Sequence, residues 1–155
     1  MFKRKKQGRK LKIEDAILHR LKGDPQKNAL DFIAFIHANN LTLERLVDCD
    51  GWNVYVKGIN SAFLAVDGEK NEFRIVLHIS RYDGQPVDDD LREFTWAHVV
   101  FCPQGCGSPV FCEESQNRRI ILGKEYESTC QSPLAFFNPD AHETKQVQQL
   151  LLLLK

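Results

Sequence analysis

The chain has 155 residues, of which 43% are hydrophobic and 27% charged, and this average composition disfavours a wholly disordered, collagen-like or coiled-coil chain. Its formal net charge is zero, but seven of the 21 Lys and Arg residues lie in the first twelve positions, which contain no Asp or Glu. The remaining residues are therefore net acidic. We expect a basic, disordered tail over residues 1–12 and a single domain over residues 13–155.

The N-terminus has no apolar run behind its basic residues, and no stretch approaches the ~20 apolar residues of a membrane span. We therefore expect a cytoplasmic protein with no membrane partner. Clustered Lys and Arg residues attract phosphate groups, so a nucleic-acid contact through residues 1–12 is an alternative to a solvated tail.

Helical periodicity predicts two helices after the tail. The apolar positions of the first helix are Ile13, Ile17, Leu18 and Leu21, with Gly23 as its C-cap. Asp24 is then placed as the N-cap of a second helix, with Pro25 at its first position, and an apolar stripe continues to about residue 38.

The period then changes from 3.6 to 2, which predicts strands over residues 43–48, 52–57, 61–66 and 72–79. Short polar breaks between them indicate an antiparallel meander. Trp52 and Val54 fall on one face of the second strand, and Tyr55 falls on the other. The packed face needs an apolar cover, which the helices supply.

A third helix is predicted over about residues 90–100, with Asp90 as its cap and Glu93 completing a capping box. The acidic run 88–90 has an alternative role as a hard-cation site, but capping accounts for it. Short strands follow over residues 119–122 and 134–137. Asn138 is predicted to cap a C-terminal helix whose apolar face contains Val147, Leu150, Leu151 and Leu154.

The cysteine-rich segment, residues 102–130, is the candidate site. It contains four of the five cysteines, Cys102, Cys106, Cys112 and Cys130, spaced C-x3-C-x5-C-x17-C. Four thiolates are a usual ligand set for structural zinc, and Cys102-Pro-Gln-Gly-Cys106-Gly resembles a metal knuckle with one residue added. Buried core thiols and redox-active or disulfide-bonded thiols are the alternatives. His98, one helical turn before Cys102, is an alternative ligand.

Catalytic motifs are not apparent in this sequence. Glu113, Glu114 and Glu125 lie near the cysteines, but their spacing does not fix the separation that an acid/base pair needs, so surface charge is the favoured role. Trp52, Tyr55 and Tyr82 can stack on a base or a ligand, but aromatic residues of a half-buried sheet more often belong to the core. No nucleophile elbow, phosphate loop or H-E-x-x-H motif is present.

Four segments carry a resemblance to a protein family: residues 28–40, 52–58, 123–130 and 134–140. Over roughly residues 13–155 the chain resembles an uncharacterised family of small cytoplasmic α+β proteins from clostridia and related gut bacteria. The resemblance implies that Cys102, Cys106, Cys112 and Cys130 act as a set, and it implies no particular activity.

The sequence therefore predicts an α+β fold, with N-terminal helices and a C-terminal helix packed on an antiparallel β-sheet. For function we expect a non-enzymatic cytoplasmic binding or adaptor domain with a structural zinc held by cysteines, whose partner is a protein or a small molecule. The alternatives are a small-molecule sensor or enzyme that uses the open sheet face, and a nucleic-acid binder that uses the tail.

Overall fold

The computed structural model describes residues 11–101, 118–127, 129–130 and 132–155. Within these ranges the chain forms four α-helices, one five-stranded antiparallel sheet and a separate two-stranded hairpin. The predicted α+β class is confirmed, with helices from both ends of the chain packed on an antiparallel sheet. Residues 1–10 of the predicted tail lie outside the described residues.

The helices and strands follow the predicted order. The helices are α1 (Ile13–Arg20), α2 (Gly23–Ala38), α3 (Asp89–Ala97) and α4 (Ala141–Leu152), and a short 3-10 helix covers Ile79–Tyr82. The strands are β1 (Thr42–Arg45), β2 (Gly51–Val56), β3 (Ile59–Asp67), β4 (Glu72–Leu77), β5 (Arg119–Ile121), β6 (Lys124–Tyr126) and β7 (Leu134–Phe137). Among the described helices, none has both the length and the apolar composition needed to cross a membrane.

The five-stranded sheet, called the main sheet below, has the strand order β1-β2-β3-β4-β7. Its first four strands are the predicted meander, and β7 returns from the end of the chain to pair with β4, where Leu77 lies opposite Leu134. Strand β5 pairs instead with β6, a strand that the sequence did not predict. Leu122 and Gly123 join these two strands with φ angles of 49° and 86°, as the left-handed residues of a tight hairpin turn require.

One face of the main sheet packs against the helices. Two rows of side chains cross this face: Trp52, Leu64, Ile75 and Phe136 form one row, and Val54, Ala62, Leu77 and Leu134 form the other. All eight are buried. Phe32 of α2 lies 6.1 Å from the Phe73 ring of β4, and Phe94 of α3 stacks 5.8 Å from Phe136. The helices and the main sheet therefore share one hydrophobic core.

The caps of α2 and α3 differ from the predictions. Helix α2 already begins at Gly23, so Asp24 lies inside its first turn, and Lys22 at the N-cap makes no side-chain capping bond. In α3 the cap is Asp88, whose carboxylate accepts a hydrogen bond from the Leu91 N–H at 2.9 Å. Asp88 has an extended backbone while Asp90 is already helical, and only an extended residue can turn its side chain back over the first turn.

The cap of α4 is also shifted. Asp140 accepts a hydrogen bond from the Glu143 N–H at 2.8 Å, and the predicted cap, Asn138, lies two residues earlier with φ of 46°. The Asn138 side chain is bonded to β4 instead, because its Oδ1 accepts from the Phe73 N–H at 2.7 Å. The predicted apolar face of α4 is confirmed, since Val147, Leu150, Leu151 and Leu154 are all buried.

Candidate functional site

Of the four predicted zinc ligands, only Cys130 falls within the described residues; Cys102, Cys106 and Cys112 lie outside them. Cys130 is half-buried, and its backbone N–H donates to the Val100 carbonyl at 3.0 Å. In the described part of the chain, no group of three or more His, Cys, Asp or Glu side chains is placed to hold a metal ion. The four-cysteine site remains a prediction, and with five cysteines in 155 residues the whole chain is not cysteine-rich.

The alternative ligand, His98, packs in an aromatic cluster at the end of α3. Its ring centroid lies 4.3 Å from that of Phe94 and 5.6 Å from that of Phe136. Its Nδ1 lies 2.8 Å from the Phe94 carbonyl oxygen, which can only accept, so Nδ1 carries the proton in this contact. The ring therefore already has a structural role, and Nε2 is the nitrogen left for another partner.

The predicted acidic alternative is only partly described. Glu113 and Glu114 lie outside the described residues, and Glu125 is exposed on β6, where its carboxylate lies 3.3 Å from the Arg118 guanidinium. Solvent and Arg118 surround this carboxylate, and no pocket or second catalytic group is placed beside it among the described residues. The geometry of Glu125 therefore fits surface charge.

A different site occupies the face of the main sheet opposite the helices, called the open face below. No helix in the described ranges packs on it. Its central row contains Glu44, Asn53, Phe63, Val76 and Ala135, one residue from each strand in the order of the sheet. The next row contains Gly51, Ala65, Arg74 and Phe137. A sheet that packs on one side only leaves such a mixture of polar and apolar side chains on the other side.

The open face contains a cavity of about 460 Å³, called the open-face cavity below. It is lined by Asn53, Asn60, Phe63, Arg74, Val76, His78, Val100, Cys130, Ser132, Ala135 and Phe137. The main sheet supplies the floor, and the segments around Val100 and Cys130 supply the rim. Backbone hydrogen bonds fix this rim: Val100 donates to the Pro133 carbonyl at 2.8 Å and accepts from Cys130 at 3.0 Å.

A second cavity of about 610 Å³ adjoins the first, because Phe63 and Arg74 line both. Its described lining includes four carboxylates, Asp50, Asp67, Glu69 and Glu72, and two guanidinium groups. One of these, from Arg20, is paired with Asp50 at 2.9 Å. The two cavities therefore differ in charge: the described lining of the open-face cavity has one guanidinium and no carboxylate.

Arg74 is held in place at the boundary between the two cavities. Its Nη2 donates to the Glu72 carboxylate at 2.8 Å, and its guanidinium carbon lies 4.9 Å from the centre of the Phe137 ring. Its Nε–H is buried and has no hydrogen-bond partner among the described residues. A buried donor without a partner costs about 1–3 kcal/mol, which makes this nitrogen a favourable contact for an added acceptor.

Asn60 and His78 line the cavity from the opposite end. Between Val54 and Tyr55 the pairing of β2 with β3 shifts by one residue, so that Tyr55 lies opposite Asn60 and Ser61 is left over. Such a β-bulge reverses the alternation of side chains and turns Asn60 to the open face. The buried Oδ1 of Asn60 has no partner among the described residues. Burial lowers the pKa of His78 below its ordinary value of 6.5, so its ring is neutral at pH 7.

Trp52 and Tyr55, for which the sequence left ligand stacking and a core role open, do not line this cavity. Trp52 is buried on the opposite, packed face with 3% of its surface exposed, because it alternates in phase with Val54. Tyr55 lies on the open face but is not part of the cavity lining. The residues that do line it gave little signal in the sequence. Arg74 and His78 alternate with apolar positions in a predicted strand, as surface residues of many sheets do.

The fold and the site together define a class: an α+β domain whose antiparallel sheet packs against helices on one face and bears a mixed polar and apolar cavity on the other. No protein-family model, curated protein or solved structure matches the chain. The resemblance of residues 13–155 to a clostridial family therefore remains a prediction.

Proposed function

We propose that the protein is a non-enzymatic binding domain that holds a small organic molecule in the open-face cavity. The observation that supports this proposal best is the cavity itself. Its volume of about 460 Å³ falls within the roughly 300–1,000 Å³ of typical small-molecule sites. The apolar contact area comes from Phe63, Val76 and Phe137, and a few polar groups at the two ends can fix the orientation of a ligand. Small-molecule sites usually combine these two features.

The lining favours binding over catalysis. A general base needs a carboxylate or another group to orient it, and the described lining has no carboxylate beside His78 or Cys130. A small molecule is also favoured over a protein partner. A stable protein interface buries roughly 1,200–2,000 Å² over a broad patch, whereas the polar groups here line one concave site. An adaptor domain that binds a protein is the alternative, and the test below distinguishes it from a domain that binds a small molecule.

Two sequence predictions belong to this proposal. A zinc ion held by Cys102, Cys106, Cys112 and Cys130 would stabilise the segment that precedes β7, and Cys130 lines the cavity rim. Zinc would then have a structural role and would not take part in ligand chemistry. The proposed compartment is the cytoplasm, because an odd number of cysteines suits a reducing environment.

The test is a fragment screen by ligand-observed NMR, followed by mapping of each hit on the ¹⁵N spectrum of the full chain. Ala135→Phe is the blocking variant, because Ala135 lies in the middle of the cavity floor and Phe is well tolerated in strands. Ala34→Phe is the matched control, since Ala34 is exposed on α2.

We expect hits to shift resonances of open-face residues and Ala135→Phe to weaken their binding by about tenfold or more, since the added ring removes most of the contact area. Ala34→Phe should bind as the wild type does. Hits that map elsewhere and survive Ala135→Phe would reject the proposal, and so would a library of acids, amides and neutral aromatics that yields no hit. If the protein without a bound fragment instead binds a purified partner protein through the open face, the adaptor role is favoured.

A further inference from the structure

The charge in the open-face cavity has one sign. Arg74 supplies a permanent positive charge, His78 is neutral at pH 7 because burial lowers its pKa, and the described lining contains no Asp or Glu. Glu72, which pairs with Arg74, lines only the neighbouring cavity. A ligand that enters the open-face cavity therefore contacts the Arg74 guanidinium, whose carboxylate partner lines the neighbouring cavity.

The Arg74 side chain is pre-organised for an anion. The Glu72 carboxylate fixes its Nη2, and the Phe137 ring supports the plane of the guanidinium. A planar guanidinium fork matches the geometry of a carboxylate better than a Lys ammonium does. Its unpartnered Nε–H supplies a donor that an anionic oxygen can satisfy after a small movement of the side chain.

The two ends of the cavity are chemically different and well separated. His78 follows Arg74 by four residues along the strand direction, which corresponds to about 13 Å at ~3.3 Å per residue. Asn60, whose buried Oδ1 lacks a partner among the described residues, lines the same end as His78. Phe63 and Val76 lie between the ends on the floor. The Phe63 ring lies over Gly51, where a Cβ would overlap it, so the absence of a side chain at Gly51 leaves room for this apolar contact.

We propose that the ligand is an elongated organic carboxylate with a flat apolar body, whose carboxylate pairs with Arg74 and whose far end donates a hydrogen bond to Asn60. This inference rests on the proposed function, because it names the ligand class of the same cavity. Arg74 thus recognises the negative charge of the ligand, and Asn60 recognises the length of the ligand.

The experiment compares three probes by ¹⁵N NMR titration of the full chain: 6-hydroxy-2-naphthoate, its uncharged amide 6-hydroxy-2-naphthamide, and 2-naphthoate, which lacks the distal hydroxyl. The variants are Arg74→Gln and Asn60→Ala, with Arg118→Gln as the control. Arg118 is 71% exposed on the hairpin segment and lies outside the lining of the cavity, so its substitution removes the same charge from the chain without touching the site.

We expect the hydroxynaphthoate to bind the wild type about tenfold or more tightly than the amide, as a charge-assisted hydrogen bond predicts. Arg74→Gln should abolish this preference, and Arg118→Gln should preserve it. Asn60→Ala should abolish the smaller preference for the hydroxynaphthoate over 2-naphthoate. Glu72→Gln removes the competing negative charge but keeps an oxygen that can accept from Arg74 Nη2, so it should strengthen binding of both carboxylates.

Two outcomes would overturn the inference while leaving the proposed function intact: equal affinities for acid and amide at the open face, or equal losses of acid affinity in Arg74→Gln and Arg118→Gln. A third outcome would count against both proposals. In that case none of the probes shifts an open-face resonance, although the near-ultraviolet circular dichroism shows each protein folded.

Discussion

Asn138 supports the junction between the last strand and the last helix, and its substitution gives the sharpest test of the fold. Residues opposite each other in a hydrogen-bonded antiparallel pair normally exchange two backbone hydrogen bonds. At this position the Asn138 N–H donates to the Phe73 carbonyl at 2.8 Å, but the return bond from the Phe73 N–H goes to the Asn138 side chain at 2.7 Å. The side chain thus replaces a backbone carbonyl.

Asn138→Ala is expected to lower the free energy of unfolding for two reasons. The Phe73 N–H loses its acceptor, and the Nδ2 bond to the Asn71 carbonyl, 3.1 Å long, is lost as well; together these are worth about 1–2 kcal/mol because the second bond is exposed. Alanine must also adopt the left-handed backbone at φ of 46°, which costs about 1 kcal/mol more. We therefore expect the free energy of unfolding to fall by about 2–3 kcal/mol.

Three comparison variants separate these two effects. Asn138→Gly should cost about 1–2 kcal/mol, because glycine adopts positive φ freely but makes neither side-chain bond. Asn138→Asp retains the acceptor and should cost less than about 1 kcal/mol. Asn40→Ala is the control for strain alone. Asn40 has φ of 55°, and its side chain makes no hydrogen bond to another described residue, so we expect a cost of about 1 kcal/mol.

Urea unfolding, followed by the fluorescence of Trp52 and Trp96, gives these differences directly. For a chain of this size, 2–3 kcal/mol corresponds to a loss of about 5–10 °C in Tm. If Asn138→Ala lowers the free energy of unfolding no more than Asn40→Ala does, the bond to Phe73 contributes nothing to stability and the role given to Asn138 is refuted.

Three further predictions concern a cap, a histidine and the cysteines. Asp88→Ala should lower the free energy of unfolding by about 1 kcal/mol and Asp90→Ala by less than half of that; equal losses in urea unfolding would contradict Asp88 as the cap. Burial lowers the pKa of His78 from 6.5, so the unfolded chain binds a proton that the folded chain does not, and stability should decline as pH falls below about 6.5. In His78→Gln the free energy of unfolding should decline less between about pH 7.5 and 5.5. An unchanged slope of stability against pH would refute the assignment of this effect to His78. Protein purified without chelator should contain one equivalent of zinc by metal analysis and keep it in Cys49→Ser but lose it, together with stability, in Cys106→Ser; metal-free wild-type protein would reject the zinc site.

The order of elements was predictable because hydrophobic period is a local property. Alternation in residues 52–57 and 72–79 identified two strands and their packed faces, and polar breaks identified the turns. The pairing of β4 with β7 was not predictable, since it joins residues far apart in the sequence and depends on which apolar edge is free in the folded chain. The missed strand β6 is three residues long, Lys124–Tyr126, which is too short to show a period.

The caps were misplaced for a different reason. Asp88, Asp89 and Asp90 share the same capping chemistry, so composition identifies the helix start but not the residue that caps it. At the C-terminal helix, Asn138 has a suitable side chain, but that side chain is bonded to a distant strand. Local preference was overridden by a tertiary hydrogen bond, and Asp140 took the role.

The open-face cavity was the least predictable feature. Arg74 and His78 are visible in the sequence as polar positions of a strand, but their significance depends on which neighbours β3 and β7 bring beside them. Asn60 reaches the cavity only because a bulge reverses its face, and no sequence signal marks that bulge. The general idea of a ligand on the open sheet face was available from the sequence, but of the aromatic residues considered for it Trp52 belongs to the core, which was its alternative role.

Leu77 and Leu134 pair in neighbouring strands of the main sheet, and the described residues between them in the sequence lie outside this sheet, as one excursion. The cavity floor belongs almost entirely to the sheet, whereas His78 and the rim residues Val100, Cys130 and Ser132 belong to the excursion. Closing a longer loop costs only about 0.6 kcal/mol for each doubling of its length. Insertions between residues 78 and 133 can therefore reshape the mouth of the site while the sheet below it keeps its register, so ligand selectivity can evolve largely independently of folding.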